Sequence, residues 1–236
     1  MNQKAKMTRA LKIQSERISA GIISAMMAGI MSVIVCATVA TPGRAQTKPA
    51  HATEKVELAA IDKPFKDFTL RDLTAEKGSL SEKVSLASFR GQKAVVLIFM
   101  ANRCGATWTY EPKIGKMLAD YKDKPVAFMT VHSPYEESDK EIIGQFEQRN
   151  LTMPILDDKP TQSLASYASA TVTPLFYIID REGVLRYKGA FDKFSDENIM
   201  YVRPALDAIL AGKLVTVKTS RALGCALTIR PKNTTK

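Results

Sequence analysis

Ala94-Val95-Val96-Leu97-Ile98-Phe99-Met100 is an unbroken apolar run, and its reading decides the fold. Its length and β-branched content suit a strand covered on both faces, where alternation with polar residues is lost. It is the expected central strand. Cys104 comes four residues after it. Beyond the cysteine, Ile114, Met117, Leu118 and Tyr121 recur at i, i+3, i+4 and i+7, the spacing of a helix with one buried face. The order is strand, cysteine turn, helix.

The alternation continues on both sides. Val126–Val131 reads as a second buried strand, followed by Ser133-Pro134 and a helix with Ile142, Ile143 and Phe146 inward. Met153-Pro154-Ile155-Leu156 is a short extended piece, and a helix is expected from about Thr161 to Tyr167. Thr173-Pro174 precedes a third apolar strand, Leu175–Ile179, which turns at Arg181-Glu182-Gly183 into Val184–Tyr187, a hairpin signal. Ile199, Val202, Leu206 and Ile209 predict a last amphipathic helix ending near Gly212, and Ala226–Ile229 a closing strand. Upstream, Phe65, Phe68, Leu70, Val84, Leu86 and Phe89 flank turn material at Glu76-Lys77-Gly78 and suggest a strand pair. The pattern implies an α/β sandwich: a central mixed sheet with parallel core strands, an antiparallel edge hairpin and helices on both faces. In such sheets the carboxyl ends of the parallel strands form the functional rim. Cys104 and His132, each just after a central strand, are expected on that rim.

Of the 236 residues, 45% are apolar and 25% charged, which fits an ordinary globular domain and argues against wholesale disorder, collagen and coiled coil. The net charge of +10 is uneven, because the first 45 residues hold six Lys/Arg and one Glu. The remainder has no long basic run and no basic stripe interleaved with aromatics, so nucleic acid is not an expected partner. Between Arg17 and Arg44 lie 26 uncharged residues behind a basic start. That is the layout of a signal peptide, with Gly43-Arg44-Ala45 as the cleavage site and Thr38/Ala40 as a second choice. The span also exceeds the roughly 20 residues of a membrane helix, so an uncleaved anchor is the alternative. Either way the rest is exported, to the periplasm or a similar compartment, and membrane contact is expected only through the leader. The expected layout is a leader at 1–45, a flexible tether at 46–60, one domain at 61–230 and a tail at 231–236. Cys36, preceded by Val35, reads as apolar filler.

Without the leader, Cys104 and Cys225 remain in a compartment where thiols are oxidised. A structural disulfide between them would close a loop of 121 residues and constrain the unfolded chain by up to about 5 kcal/mol. A redox pair is the other reading. Cys104 sits where a helix begins, and the free N–H groups and positive end of a helix favour a thiolate, the form that attacks disulfide sulfur. Arg103 would add to that.

Three segments together resemble the thioredoxin-like redoxins of the alkyl hydroperoxide reductase/thiol-specific antioxidant superfamily, over Ile61 to Arg230. The first is Phe65-Lys66-Asp67-Phe68-Thr69-Leu70 through Arg90-Gly91-Gln92-Lys93 into the Val95–Phe99 strand and its cysteine. The second is Thr173-Pro174 ahead of Phe176–Asp180 and Gly183. The third, Leu223-Gly224-Cys225-Ala226 after Ala211-Gly212-Lys213, is similar to an exported subset with a carboxyl-terminal Gly-Cys. The resemblance implies a thioredoxin fold and thiol-disulfide chemistry without a bound cofactor, on a protein thiol/disulfide partner or an external reductant. It also implies a cis Thr173-Pro174 bond beside the cysteine, with Thr173 offering its backbone to an extended substrate.

The departures shape the expected mechanism. The run Cys104-Gly105-Ala106-Thr107 lacks the second cysteine of C-x-x-C, which makes Cys225 the candidate for a distant resolving thiol, with a permanent Cys104–Cys225 staple or a lone buried thiol as its alternatives. A peroxiredoxin has proline and threonine seven and three residues before its reactive cysteine, where this chain has Leu97 and Ala101. Thiol peroxidase activity is thus the second reading. A non-catalytic module that binds a partner, or a soft metal ion through Cys104, Cys225 and His132, is the third; no dedicated metal site is expected. His132 is a candidate for proton transfer. Trp108, one helical turn past Cys104, is a candidate wall of the substrate site, with packing as its alternative.

Overall fold

The computed structural model describes residues 57–79 and 82–230. The expectations for the leader, its cleavage sites, Cys36, most of the tether and the tail at 231–236 lie outside the described residues. At the end of the tether, the Ala59 N–H already donates to the Tyr167 carbonyl at 2.9 Å.

In chain order the elements are β1 (Thr69–Asp72), β2 (Lys83–Ser85), β3 (Ala94–Met100), α1 (Gly105–Tyr121), β4 (Val126–His132), α2 (Asp139–Gln148), β5 (Ile155–Asp157) and α3 (Ser163–Ala168). There follow β6 (Val172–Thr173), β7 (Leu175–Asp180), β8 (Leu185–Gly189), β9 (Asp192–Lys193), β10 (Asp196–Met200), α4 (Val202–Leu210) and β11 (Cys225–Ala226). Seven strands make one mixed sheet in the order β2-β1-β5-β4-β3-β7-β8. Its middle, β5-β4-β3, is parallel, the hairpin β7-β8 closes one edge, and a second antiparallel pair, β1-β2, closes the other.

Every residue of β3 is buried, as an unbroken apolar strand requires. Ala94, Val96, Ile98 and Met100 face one layer, packed with Ile114 and Met117 of α1, Ile142 and Phe146 of α2 and Leu206 of α4. Val95, Leu97 and Phe99 face the other, with Leu164, Ala165 and Ala168 of α3, Phe65 from the amino-terminal segment and Leu227 from beyond β11. Each fully buried large side chain contributes about 1.5–3 kcal/mol of transfer free energy, so covering both faces of this strand dominates the stability of the fold.

Several boundaries differ from the sequence reading. The last helix starts at Val202, and Ile199 lies in β10, exposed. Pro204 falls in the first turn of this helix, where its missing N–H would have no intrahelical partner in any case. The third helix begins at Ser163 rather than Thr161. The closing strand is shorter than the expected Ala226–Ile229. Only Cys225 and Ala226 pair with β6, because beyond Leu227 the backbone finds its partner in a side chain, that of Gln162. His132 is the last residue of β4, in register with Met100, rather than a loop residue after the strand.

Register assembles the rim. Parallel pairing sets Met100 beside His132, so β3 and β4 end at the same level. Antiparallel pairing sets Phe99 opposite Leu175, so the start of β7, and Thr173-Pro174 just before it, arrives where β3 ends.

Candidate active site

Cys104 is the N-cap residue of α1, in extended conformation at φ −99° and ψ 113°, and its side chain is 1% exposed. Its thiol donates to the Thr173 carbonyl at 3.1 Å. The Thr173-Pro174 bond is cis. On the strand β6 that carries Thr173, the tail strand β11 pairs antiparallel, with Cys225 directly opposite Thr173. The fold therefore brings Cys104, Thr173, Pro174 and Cys225 together. Both cysteines are free thiols, Cys104 buried and Cys225 exposed.

The two sulfurs share the amino end of one helix. Burial pushes the Cys104 thiol up, but the Cys225 thiol, the hydroxyls of Thr173 and Thr107 and the Thr107 N–H all donate toward its thiolate and bring it down to about 7. Among the described residues those two hydroxyls are buried and have no hydrogen-bond partner while Cys104 is a thiol, which leaves them free to turn to the anion. Cys225 moves the other way. Its bond to Cys104 and, less, the partial desolvation of its sulfur raise it, opposed by the N–H groups of Ala106 and Gly105. Of the two sulfurs, Cys104 is therefore the one whose anion the site favours, and Cys225 the one that keeps its proton more readily.

Arg103 and His132 each face a carboxylate. The Arg103 guanidinium pairs with Glu141 at 3.2 Å. His132 is 1% exposed, its ring lies edge-on to Phe146, and its Nδ1 is 3.5 Å from Oε2 of Glu137. Glu137 was not singled out in the sequence. It is buried, and its Oε1 accepts the Arg103 backbone N–H at 2.9 Å, so it braces the turn that delivers Cys104. Burial raises its carboxyl, but the bonds from His132 and from the Asn102 and Arg103 N–H groups prevail and hold it below its ordinary value. Nothing in Tyr135-Glu136-Glu137-Ser138 marks which glutamate turns inward. Trp108 is 47% exposed; its indole N–H donates to the Asn102 carbonyl at 2.6 Å, and it walls an open groove of about 670 Å³ with Lys140, Gln145 and Arg149 beside the cysteine turn. Among the described residues, no three His, Cys, Asp or Glu side chains are gathered as a metal ion requires.

The AhpC/TSA family signature matches residues 61–188, more than half of the chain, including Cys104, Thr173 and Pro174. The chain belongs to the AhpC/TSA family. Cys225 lies beyond the matched region, so its place beside Cys104 is seen in the fold and not in the family signature. Thioredoxin-like protein YneN of Bacillus subtilis (strain 168) is 30% identical over 120 residues, 51% of this chain and 65% of that protein. The match thus spans just under two thirds of that relative. A conserved protein of Geobacillus kaustophilus superposes with a TM-score of 0.64 at 26% identity, covering 76% of this chain and 95% of that one. A Chlorobium tepidum protein named for thiol:disulfide interchange, DsbE, shares the fold at 20% identity and a TM-score of 0.53, covering 64% of this chain and 99% of its own. This AhpC/TSA member is a thioredoxin-fold redoxin.

Proposed function

We propose that the protein is an exported thiol-disulfide oxidoreductase that cycles between two thiols and a Cys104–Cys225 disulfide. The observation that carries this reading is the placement of both sulfurs at the amino end of α1, with the thiolate favoured on Cys104. Local opening of the short β6-β11 ladder gives a partner access to Cys104. The Cys104 thiolate then attacks one sulfur of the partner's disulfide, the partner's S–S bond breaks, and the second partner sulfur leaves as a thiolate. Cys225 gives up its proton to solvent or to that leaving thiolate and attacks the Cys104 sulfur. The mixed disulfide breaks, the first partner sulfur is released reduced, and the protein holds Cys104–Cys225. Reduction by an external dithiol reverses these steps. Export follows from the leader, and partners are protein thiols or disulfides, or an external reductant.

The chemistry draws on this chain's own groups. The Thr107 and Thr173 hydroxyls and the helix end stabilise the Cys104 thiolate both as nucleophile and as leaving group. With Leu97 and Ala101 in place of proline and threonine, thiol peroxidation is the weaker reading.

The test is trapping with a model disulfide, read by non-reducing mass spectrometry. Cys225→Ser should accumulate a mixed disulfide at Cys104, the wild type should release it, and Cys104→Ser should form none. An adduct on Cys225, or equal accumulation in the wild type, would overturn the assignment of roles.

A further inference from the structure

Gln162 is 2% exposed and adopts a left-handed backbone, φ 50° and ψ 28°, a conformation that a non-glycine residue holds only when its surroundings demand it. Its side-chain amide faces away from the helix it precedes. Nε2 donates to the Ser133 carbonyl at 2.8 Å and to the Thr228 carbonyl at 2.9 Å, and Oε1 accepts the Arg230 N–H at 2.7 Å. A carbonyl at one residue and an N–H two residues later are the pair that a strand offers to its neighbour in a ladder. The amide group substitutes for an edge strand just where β11 has run out.

Upstream of Cys225 the tail is tied to β8 by the Lys188–Thr219 bridge, the Ser220 N–H to the Lys188 carbonyl and the Ser220 hydroxyl beside Tyr187; past Gly224 the other holds on it are few. The ladder has two pairs, Cys225–Thr173 and Ala226–Val172, followed by the Leu227 N–H to the Thr171 carbonyl at 2.9 Å. Leu227 itself is buried in the second core layer, and the Arg230 guanidinium stacks over the Tyr135 ring at 4.4 Å. Gln162 is the buried polar link among them, and it ties the tail to Ser133, the residue directly after β4. Ser133 is itself held, its hydroxyl donating to Asp158 at 2.8 Å, while Asp158 accepts the Leu164 and Ala165 N–H groups at the start of α3. The latch is therefore anchored to the same strand end that forms the rim.

We infer that Gln162 is a positioning residue that latches the carboxyl-terminal tail onto β6, and so sets the effective concentration of Cys225 at Cys104. The inference rests on the proposed Cys104–Cys225 couple. Two contacts to the tail depend on this one amide. Their loss leaves the ladder, Leu227 and Arg230 to hold the strand, and the effective concentration is expected to fall about tenfold to hundredfold. The same loosening uncovers Cys104. Disulfide formation and thiol protection should therefore both weaken, while the core of the domain stays intact.

Gln162→Gly adopts φ 50° without strain and removes the amide together with its two methylenes; Gln162→Met, of similar length but apolar, keeps the packing and removes the polar atoms, and is the second variant. Equilibrated in glutathione redox buffer, both should show a Cys104–Cys225 equilibrium constant about tenfold to hundredfold below wild type, with faster alkylation of reduced Cys104. Hydrogen exchange should show lost protection at Leu227 and Arg230, with β3 and β4 amides unchanged. An unchanged equilibrium constant together with retained tail protection in both variants would overturn the latch. If the wild type forms no Cys104–Cys225 disulfide, the functional reading fails, and exchange at Leu227 and Arg230 alone then decides the latch.

Discussion

At Gly224 a single methyl group should separate the closed tail from an open one. A Cβ there would stand 2.0 Å from the Thr173 carbonyl oxygen and 2.8 Å from the carbonyl carbon. Those atoms are backbone of a 1% exposed residue that also accepts the Cys104 thiol, so they cannot step aside as a flexible side chain would. In Gly224→Ala the tail must lift by about an ångström. Gly224 does not sit in the left-handed region, so alanine adds no backbone strain and the whole effect is steric. Lifting costs the ladder bonds to β6, each about 0.5–1.5 kcal/mol net, and part of the burial of Leu227. Relaxation limits the total to about 1–3 kcal/mol, as for other overpacked sites. Since about 1.4 kcal/mol is a factor of ten, the Cys104–Cys225 equilibrium constant should fall roughly five- to a hundredfold. It is measured against a dithiol of known potential, with the two redox forms separated by mass. The Cys104 titration, followed by alkylation rate against pH, should move upward from about 7, because the donor supplied by Cys225 is withdrawn. A variant with the wild-type equilibrium constant and titration would refute the packing of the tail against β6, and with it the geometric basis of the couple.

Three further outcomes are expected. The folded Cys104 thiol is depressed from 9.0 to about 7, so its contribution to the stability of the reduced protein is complete above the unfolded value and is lost as pH falls through 7. Cys225, raised in the fold, opposes the gain as it titrates. The urea midpoint of the reduced protein should therefore be higher at about pH 8.5 than at about pH 6.5, a difference that Cys104→Ser should abolish. Hydrogen peroxide should react with the reduced protein no faster than with a simple thiol, because Ala101 offers no hydroxyl and Cys104 is 1% exposed; rapid stoichiometric sulfenic acid would instead favour the peroxidase reading. Amino-terminal sequencing of exported protein should begin at Gln46, and an intact Met1 on membrane-bound protein would point to the anchor.

The sheet could be read in the sequence because its centre carries the plainest signal a chain offers, apolar runs too short for helices and separated by helical periodicity. Ala94–Met100 and Leu175–Ile179 lie where those runs place them, and the hairpin after Asp180 follows from Arg181-Glu182-Gly183. The start of the last helix is not legible, because an apolar residue at helical spacing such as Ile199 carries no information about where a helix begins, and proline is no reliable marker when Pro112 lies inside α1. The site was half legible. Cys104 could be placed by the strand before it, and Thr173-Pro174 by resemblance, but Glu137, Gln162 and the hydroxyls of Thr107 and Thr173 act through long-range burial. A polar residue that will be buried looks, in sequence, like one that will be solvated.

The two sulfurs arrive by separate routes. Cys104 is delivered by the common fold: a parallel strand ends, a helix begins, and an antiparallel neighbour brings Thr173 to the same level. The resolving position inside the helix has become Thr107, whose hydroxyl supports the thiolate instead of attacking its adduct. Cys225 is delivered by a tail outside the family signature, tied to β8 at Thr219 and Ser220 and, past Gly224, held by a two-pair ladder, one buried leucine and the Gln162 amide. A C-x-x-C pair gains its effective concentration from one rigid turn, so its nucleophile and its resolving thiol are hard to perturb independently. Here the acidity of Cys104 has contributions from the helix end and two threonines that survive removal of the tail, while in the proposed couple resolution depends on the tail. Substitutions along Gly224–Arg230 should therefore tune the lifetime of the mixed disulfide over a wide range without abolishing the first attack, for which Cys104 becomes more accessible as the tail loosens.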